Sequence, residues 1–195
     1  MKDEAKKEEA KPVFLRGKKV ILRPRHIDDV PRLARWINDP DVRRNIMTQF
    51  PLAEHDERAW VERKSDDKEV LLSIDTIEGR HIGTMGLHRI NWIDRTAVSG
   101  ALIGEKDCWR KGYGTDAKMT LLAYAFLTLG LRKICSEAIE YNAGSLGFNA
   151  KCGYKQEGIR KKQIFREGKC WDVVLTAVFA EDWLPLWEEY KKGLK

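Results

Sequence analysis

CWRKGYGTDA, residues Cys108–Ala117, sets two cations beside two glycines immediately before a long apolar run. The cations are Arg110 and Lys111, and the glycines are Gly112 and Gly114. The run that follows, TDAKMTLLAYAFLTLG, is apolar on almost every side and predicts a buried helix. Because the first amides of a helix lack intrahelical partners and the helix dipole attracts anions, the stretch predicts a site for a phosphate-bearing ligand.

Two familiar phosphate sites fit this stretch less well. The P-loop pattern GxxxxGK(S/T) does not occur in the sequence. The dinucleotide fingerprint GxGxx(G/A) is matched by Gly112, Gly114 and Ala117, with Glu137 about twenty residues on, but it needs its first glycine directly after a strand. Here the polar segment EKDCWRK intervenes, and the chain closes with a hairpin instead of a further strand–helix unit. A glycine-rich turn that only caps a buried helix is a further alternative.

Length and composition are those of an ordinary globular protein. The 195 residues suffice for one full core, and we predict a single domain over residues 13–195, preceded by a charged tail at 1–12. No apolar stretch approaches the roughly 18 residues that span a bilayer. The N-terminus also lacks the apolar segment of a secretion signal, so a cytoplasmic protein without membrane contact is expected.

The net charge of +6 suits an anionic partner of any kind, from nucleic acid to a phosphorylated cofactor. One stretch, RKKQIFREGK at 160–169, interleaves aromatic and basic residues as single-strand-binding surfaces do. We interpret it as a solvated hairpin, so direct nucleic-acid binding is not expected. The four cysteines lack the close spacing of zinc ligands, and free thiols with no metal site are expected. They are Cys108, Cys135, Cys152 and Cys170.

Hydrophobic periodicity and turn signals give the order β-α-α-β-β-β-α-β-α-β-β, followed by a C-terminal helix. The predicted strands are KKVILRP, then EVLLSID, HIGTMGLHRI and TAVSGALIG as a meander, then KICSEAIEY, and a closing hairpin around the turn REGK. We expect Asp28 to cap the first helix, Leu52–Ser65 to form the second, and Gly130 to end the apolar helix in a left-handed conformation. Hairpins require antiparallel neighbours and a βαβ crossover requires a parallel pair, so the fold class is α/β with a mixed sheet.

Two of these segments together resemble a known family. GALIGEKDCWRKGYGTDA (100–117) resembles the strand and acetyl-CoA loop of the GCN5-related N-acetyltransferases, the GNAT family. EYNAGSLGFNAKCGYKQEG (140–158) resembles the strand, helix and hairpin entry that follow. The resemblance covers about Val20–Phe179 and lies nearest the RimJ/RimL-like branch, which acetylates ribosomal-protein N-termini and polyamines. It implies the GNAT fold, a mostly antiparallel twisted sheet of about seven strands, split by a central bulge, with helices on both faces.

The resemblance also implies a reaction, the transfer of an acetyl group from acetyl-CoA to a primary amine by direct attack in a ternary complex. In the family two parallel strands splay apart and the pantetheine arm lies between them; here these strands would be TAVSGALIG and KICSEAIEY. Backbone groups of Leu102 and Ile103 would pair with the pantetheine, and an amide there would polarise the thioester carbonyl. The pyrophosphate would rest on backbone amides of the loop. These amides belong to Arg110, Lys111, Gly112, Tyr113, Gly114 and Thr115.

The chain departs from the family pattern at several positions. Trp109 occupies a Gln/Arg position of the acetyl-CoA loop, a change that we expect the site to tolerate because backbone amides make the contacts. The family's proton-donating Tyr is replaced by Asn149, whereas Ser145 matches a serine that takes this role in the nearest relatives. We therefore expect Ser145 to protonate the leaving thiolate. Asn142 and Asn149 would hydrogen-bond the cofactor or an ordered water.

The sequence leaves the general base unassigned. A base is needed because an alkylamine is mostly protonated near pH 7. The two glutamates that family members use are replaced by Val98 and Ile164. The remaining candidates are Glu140, His88 and Glu105, and a water relay is a further alternative.

The leading hypothesis is an N-acetyltransferase that acts on a primary amine. A protein N-terminus, such as that of a ribosomal protein, comes first among the acceptors, and a polyamine or an aminosugar follows. The alternative is a non-catalytic acyl-CoA-binding or regulatory module, because the family Tyr and both family glutamates are missing. The sequence leaves open whether the protein is a monomer or a homodimer.

Overall fold

The structure, a computed structural model, describes residues 12–64 and 66–193. It consists of one mixed sheet with helices on both faces. Apart from Pro12, the predicted tail at 1–12 lies outside the described residues, as do Ser65 and residues 194–195. The strands are β1 (Leu15–Arg16), β2 (Val20–Pro24), β3 (Val70–Thr76), β4 (His81–Asn91), β5 (Thr96–Ile103), β6 (Lys133–Ile139), β7 (Lys155–Arg166) and β8 (Lys169–Phe179). The helices are α1 (Val30–Asn38), α2 (Pro40–Arg43), α3 (Glu54–Glu62), α4 (Tyr113–Ala123), α5 (Ala143–Lys151) and α6 (Ala180–Lys191).

The strands lie in the order β1-β2-β3-β4-β5-β6-β8-β7, and every neighbouring pair is antiparallel except β5 and β6. The predicted α/β class with a mixed, mostly antiparallel sheet is therefore confirmed. The described residues form eight strands where about seven were expected. The additional strand, β1, pairs only Leu15 and Arg16 with β2, which is too short a run for hydrophobic periodicity to reveal.

The helices cover the sheet from two sides. On one side, here called the α4 face, α4 runs buried across the sheet and Trp183 of α6 donates to the sulfur of Met119. On the other side, the α1 face, Leu33 and Trp36 of α1 pack with Leu102 of β5. After α4 the chain continues as one π-helical turn, and Gly130 then adopts the predicted left-handed conformation with φ +67°.

β5 and β6 separate from one another part-way along their length. They pair only at Thr96↔Lys133, Ala97↔Ile134 and Val98↔Cys135. Beyond that point, here called the vertex, Ser99–Ile103 and 136–139 enclose a gap between the strands. The splayed parallel pair that the family resemblance implies is thus present. A register irregularity lies one strand away, on β4 between His88 and Asn91.

The start of the first helix differs from the prediction. Asp28 does not cap α1, because the chain is already helical there, in a 3-10 turn over Ile27–Asp29. His26 caps this turn instead, and its Nδ1 accepts from the Asp28 amide at 3.3 Å. The second predicted helix, α3, spans Glu54–Glu62 and is shorter than the predicted Leu52–Ser65, of which Ser65 lies outside the described residues. The prediction of free thiols is confirmed for all four cysteines.

Candidate active site

The start of α4 presents an exposed stretch of backbone with no side-chain cap. Gly112, the N-cap residue, is left-handed with φ +87°, and Arg110 is left-handed as well with φ +61°. Left-handed residues next to a helix start form the concave arrangement of amides that binds anions. Arg110, Lys111 and Gly112 are exposed, whereas Gly114 and Thr115 are half-buried. Five of the six predicted loop residues thus surround one helix end, and Tyr113 forms its first residue.

The two glycines of the loop have different structural roles. Gly112 needs its glycine backbone, because a side chain is strained at a φ of +87°. Gly114 has ordinary helical geometry, and a Cβ there would meet Phe148 at 3.6 Å, an ordinary contact. The backbone conformation therefore favours glycine at 112, whereas at 114 a Cβ makes only ordinary contacts.

A further cation lies beside the loop, and the sequence pattern did not identify it. Lys19 Nζ donates to the carbonyl of Lys111 at 3.0 Å. Lys19 is held there by Asp116 in the first turn of α4, whose carboxylate accepts the amides of Lys18, Lys19 and Val20 at 3.0, 2.7 and 3.0 Å. The contact spans almost a hundred residues of sequence, so spacing within one motif carries no sign of it.

The last two residues of β5, Leu102 and Ile103, direct their main-chain carbonyls to opposite edges of the strand. The carbonyl of Leu102 points toward β4, since a Cβ on Gly83 of that strand would collide with it. The carbonyl of Ile103 accepts instead from the indole nitrogen of Trp109 at 2.7 Å. Neighbouring residues of a strand direct their carbonyls to opposite edges. Ile103 therefore offers its carbonyl to the gap, whereas the carbonyl of Leu102 is directed away from it.

Asn142 and Ser145 meet at the start of α5. The Oδ1 of Asn142 accepts from the Ser145 amide at 3.0 Å, and its Nδ2 donates to the carbonyl of Asn45 at 3.1 Å. Asn142 is therefore the N-cap of α5 and also a link to the segment that follows α2. The hydroxyl of Ser145 is half-buried and makes no hydrogen bond within the described part of the chain.

Asn149 lies in the interior, against the vertex. Its Nδ2 donates to the hydroxyl of Ser136, the first residue of β6 beyond the pairing with β5, at 3.0 Å. Its Oδ1 is buried and has no hydrogen-bond partner in the described structure. A buried acceptor without a donor is destabilising, so a donor from outside the chain that reached this oxygen would stabilise it.

An uncapped helix start, a gap between two parallel strands and an orphaned acceptor at its vertex thus occur together. A family model described as acetyltransferase (GNAT) domain matches residues 19–155. The chain belongs to the GNAT family. Since members of this family use acetyl-CoA as the acetyl donor, the protein is an acetyl-CoA-dependent N-acetyltransferase.

Individual relatives are distant but extend over most of the chain. The probable N-acetyltransferase YjcK of Bacillus subtilis is 28% identical over 184 residues, which is 87% of this chain and 98% of YjcK. Human alpha/beta-tubulin-N-acetyltransferase 9 is 28% identical, covering 79% of this chain and 80% of that protein. The structure of spermidine N-acetyltransferase from Vibrio cholerae in complex with CoA and spermine has a TM-score of 0.78 at 21% identity, covering 85% and 98% of the two chains. No described helix of this GNAT protein is long and apolar enough to cross a membrane.

Two of the three candidate bases are held in hydrogen-bonded structures. Glu105 pairs with Arg35 and Arg80 and accepts from the Trp36 indole at 2.9 Å. Burial would raise its pKa, but these bonds and charges outweigh burial and lower it. Glu140 accepts from the Asp172 amide at 2.9 Å. Both carboxylates thus serve as structural acceptors in this GNAT domain.

His88 is the candidate in the most suitable position. It lies opposite Val98, which stands at the family glutamate position, and a Cβ on Gly100 would be 3.2 Å from its Nε2. Its Nδ1 lies 3.8 Å from a carboxylate oxygen of Glu69. Burial lowers the pKa of His88 although the charge of Glu69 opposes this, so the ring tends to be neutral at pH 7. A neutral imidazole with its Nε2 over a bare stretch of β5 is able to accept a proton.

Proposed function

We propose that this protein acetylates a primary amine by direct attack on acetyl-CoA held in the gap between β5 and β6. The single observation that carries this proposal is the separation of β5 and β6 beyond Val98 and Cys135, with the uncapped start of α4 at the open end. The pyrophosphate would lie on the amides from Arg110 to Thr115, and Lys19 would add a charge that the sequence motif lacks.

Within the gap, the pantetheine would pair with the main chain of Ile103 and replace the Trp109 indole at its carbonyl. The orphaned Oδ1 of Asn149 is a suitable acceptor for a pantetheine amide. Leu102 would contribute less than the sequence suggests, because its carbonyl is directed to β4. Asn142 would act indirectly, as the cap that fixes the first turn of α5.

For the chemistry, we assign the proton-accepting role to His88, oriented by Glu69, and the proton-donating role to Ser145. His88 lies on the α1 face beside Gly100, where an acceptor amine would approach the thioester. Ser145 has a hydroxyl that is not used inside the described protein and lies in the first turn of α5. Efficient proton transfer requires a base whose pKa lies near neutral pH and a donor within hydrogen-bond reach of the leaving atom.

A protein N-terminus fits the acceptor side better than a polyamine does. Next to the vertex the α1 face carries a cavity of about 300 Å³ whose carboxylates are already paired. Glu137 binds Arg160 at 2.9 Å and Arg89 at 3.5 Å, and Glu157 binds Lys133 at 2.6 Å. A polycation would need unpaired carboxylates, whereas a single amine at the end of a peptide does not.

The rim of this region also suits a peptide. The segment after α2 is fastened across the acceptor side, since Tyr141 donates to the carbonyl of Arg44 at 2.6 Å and Arg166 to that of Met47 at 3.0 Å. Phe50 and Phe165 are exposed nearby on this segment and on the β7–β8 hairpin, at 83% and 65%. Exposed apolar side chains on a rim are suited to contact the side chains of a peptide.

The test is calorimetric titration with acetyl-CoA, followed by a thiol-release assay on three kinds of amine. The amines are short peptides with free N-termini, the same peptides with acetylated N-termini as controls, and spermidine. We expect saturable acetyl-CoA binding and turnover only with the free peptides. Turnover with spermidine alone would refute the choice of acceptor, and binding without turnover on any amine would support a non-catalytic module instead.

The Ser145→Ala variant tests the donor. We expect acetyl-CoA to bind as in the wild type, because the backbone amide that Asn142 caps is retained. Turnover should fall by roughly a hundredfold, a typical contribution of acid–base catalysis. Equal losses of affinity and turnover would instead indicate a structural serine.

A further inference from the structure

A buried lysine lies directly behind the vertex. Lys118, in the second turn of α4, is 1% exposed, and its Nζ donates to the hydroxyl of Ser99 at 2.7 Å. Its Nζ also stands 5.2 and 5.4 Å from the ring centroids of Tyr154 and Phe148. No carboxylate within residues 12–64 and 66–193 pairs with it. The core therefore holds an amine whose partners there are a hydroxyl and two aromatic faces.

Ser99 connects this lysine to the gap. It is the first residue of β5 beyond the pairing with β6, and its hydroxyl lies 2.8 Å from the Tyr154 hydroxyl and 3.2 Å from the carbonyl of Cys135. Ser136, the matching first residue of β6, binds Asn149 on the same α4 face. The vertex is therefore lined on this face by two hydroxyls, one of which is backed by Lys118.

Lys118 is the principal charge at this point. Burial lowers its pKa to about 8, so it is largely protonated at pH 7. The other titratable groups that face it are the Cys152 thiol after α5 and the Tyr154 phenol before β7. Burial raises the pKa of Cys152 to about 12 and also raises that of Tyr154, so both are neutral there. A buried ammonium without a counter-ion is costly. Such a charge is unusual in a protein core unless an anion forms beside it.

We propose that Lys118, acting through the hydroxyl of Ser99, stabilises the negative charge that forms at the vertex during acetyl transfer. This inference rests on the proposed function. In the transfer the amine nitrogen bonds to the thioester carbon, the carbon–sulfur bond breaks, and its electron pair leaves on sulfur. The proton of the attacking amine goes to His88, which releases it to solvent, and Ser145 protonates the thiolate and takes up a proton from solvent in turn. Lys118 keeps its proton throughout and is a positioning residue, because it acts through Ser99.

The experiment uses Lys118→Met, which keeps the length and burial of the side chain but removes the charge. Free CoA carries the thiol on which the charge resides, so the pKa of this thiol in the bound state is followed by thiolate ultraviolet absorbance during a pH titration. We expect at least about tenfold less thiolate at a given pH with Lys118→Met than with the wild type, as for the loss of a nearby opposite charge. Lys118→Arg, which retains a charge, should resemble the wild type.

Turnover provides a second readout. Lys118→Met should lower kcat by at least about tenfold while leaving the acetyl-CoA Kd within twofold. The reason is that the negative charge develops in the transition state and is absent from the bound thioester. Ser99→Ala should reproduce both effects, and the double variant should add little to either. Ser99→Ala also provides the same test should Lys118→Met fail to fold.

The outcomes distinguish this inference from the function on which it rests. Failure of the wild type to bind CoA would remove the proposed function itself. Binding of CoA with the same thiol pKa in the wild type, Lys118→Met and Ser99→Ala would overturn only the role of Lys118, whether or not an acceptor amine has been found.

Discussion

The indole nitrogen of Trp109 donates to the main-chain carbonyl of Ile103 at 2.7 Å, on the edge of β5 that faces the gap. Trp109 stands where the family pattern has Gln or Arg, and it lies four residues before α4 begins at Tyr113. Its side chain therefore folds back from the acetyl-CoA loop and occupies a hydrogen-bonding position that the pantetheine arm would use.

Replacing Trp109 by Phe should strengthen the binding of acetyl-CoA. An aromatic side chain is kept but the indole N–H is removed. The Ile103 carbonyl then no longer has to exchange the Trp109 donor for a donor of the pantetheine. A net hydrogen bond contributes about 1 kcal/mol, which corresponds to roughly a fivefold lower Kd in calorimetry. Trp92→Phe is the control, because the Trp92 indole also donates to a backbone carbonyl, that of Asp67, away from the loop. Unchanged or weaker binding by the Trp109 variant would contradict the competition.

Gly114→Glu should abolish acetyl-CoA binding without unfolding the protein. The backbone at Gly114 is helical and a Cβ has room, so the fold should tolerate the change. The carboxylate, however, would stand in the first turn of α4, where the pyrophosphate is expected. The control is Gly147→Glu in α5, where no atom lies within 4 Å of a Cβ. Saturable binding by Gly114→Glu at micromolar acetyl-CoA would mean that the phosphates lie elsewhere.

The sequence predicted this loop and the strands beside it because they are encoded locally, whereas the gap between β5 and β6 was expected only from the family resemblance. Glycine spacing, a polar approach and an apolar helix lie within one run of residues, and the bounds of the strands follow from turn residues on either side. His26 was missed as a cap because Asp28 carries the stronger local signal. The three residues behind the vertex, Ser99, Lys118 and Tyr154, come from three separate segments, and only tertiary packing brings them together. No pattern in one segment indicates such a cluster.

Gly112→Ala should destabilise the fold through the backbone alone. An alanine at a φ of +87° carries a strain of about 1–2 kcal/mol, and the strain is relieved only if the turn moves. We expect the free energy of unfolding in urea to fall by this amount, with weaker acetyl-CoA binding. Gly114→Ala, at a helical φ, is the matched control and should leave the stability unchanged or slightly raised. Equal stability of the two variants would show that the turn at 112 accommodates a side chain.

Asp116→Asn should loosen the connection between the loop and the N-terminal strands. The carboxylate accepts three backbone amides of the turn before β2, and the Tyr190 hydroxyl also donates to it. The amide side chain presents an NH₂ group to donors, so about 2–4 kcal/mol of stability should be lost. Hydrogen exchange of the Lys18, Lys19 and Val20 amides should become faster. Asp182→Asn, which breaks an exposed pair with Lys155, should change the stability by less than about 0.5 kcal/mol.

Lys118→Met should be more stable than the wild type at pH 7, and the difference should disappear at alkaline pH. Burial lowers the pKa of Lys118 from its ordinary value of 10.5 to about 8 in the folded protein. Between these two values the unfolded chain binds more protons than the folded one, so the stability of the wild type rises with pH.

The rise relative to Lys118→Met should amount to about 3 kcal/mol, since each pKa unit corresponds to about 1.4 kcal/mol. Urea unfolding of both proteins at pH 7, 8, 9 and 10 measures this difference, and titrations of Tyr154 and Cys152 cancel in the comparison. A constant difference across this range would mean that Lys118 has the same pKa in the folded and the unfolded protein. A rise of about 1.4 kcal/mol per pH unit already from pH 7 would mean that Lys118 is neutral in the folded protein at that pH, and would remove the charge on which its proposed role at the vertex depends. A stability gain with slower turnover would instead mean that the buried charge is kept for catalysis at the expense of the fold.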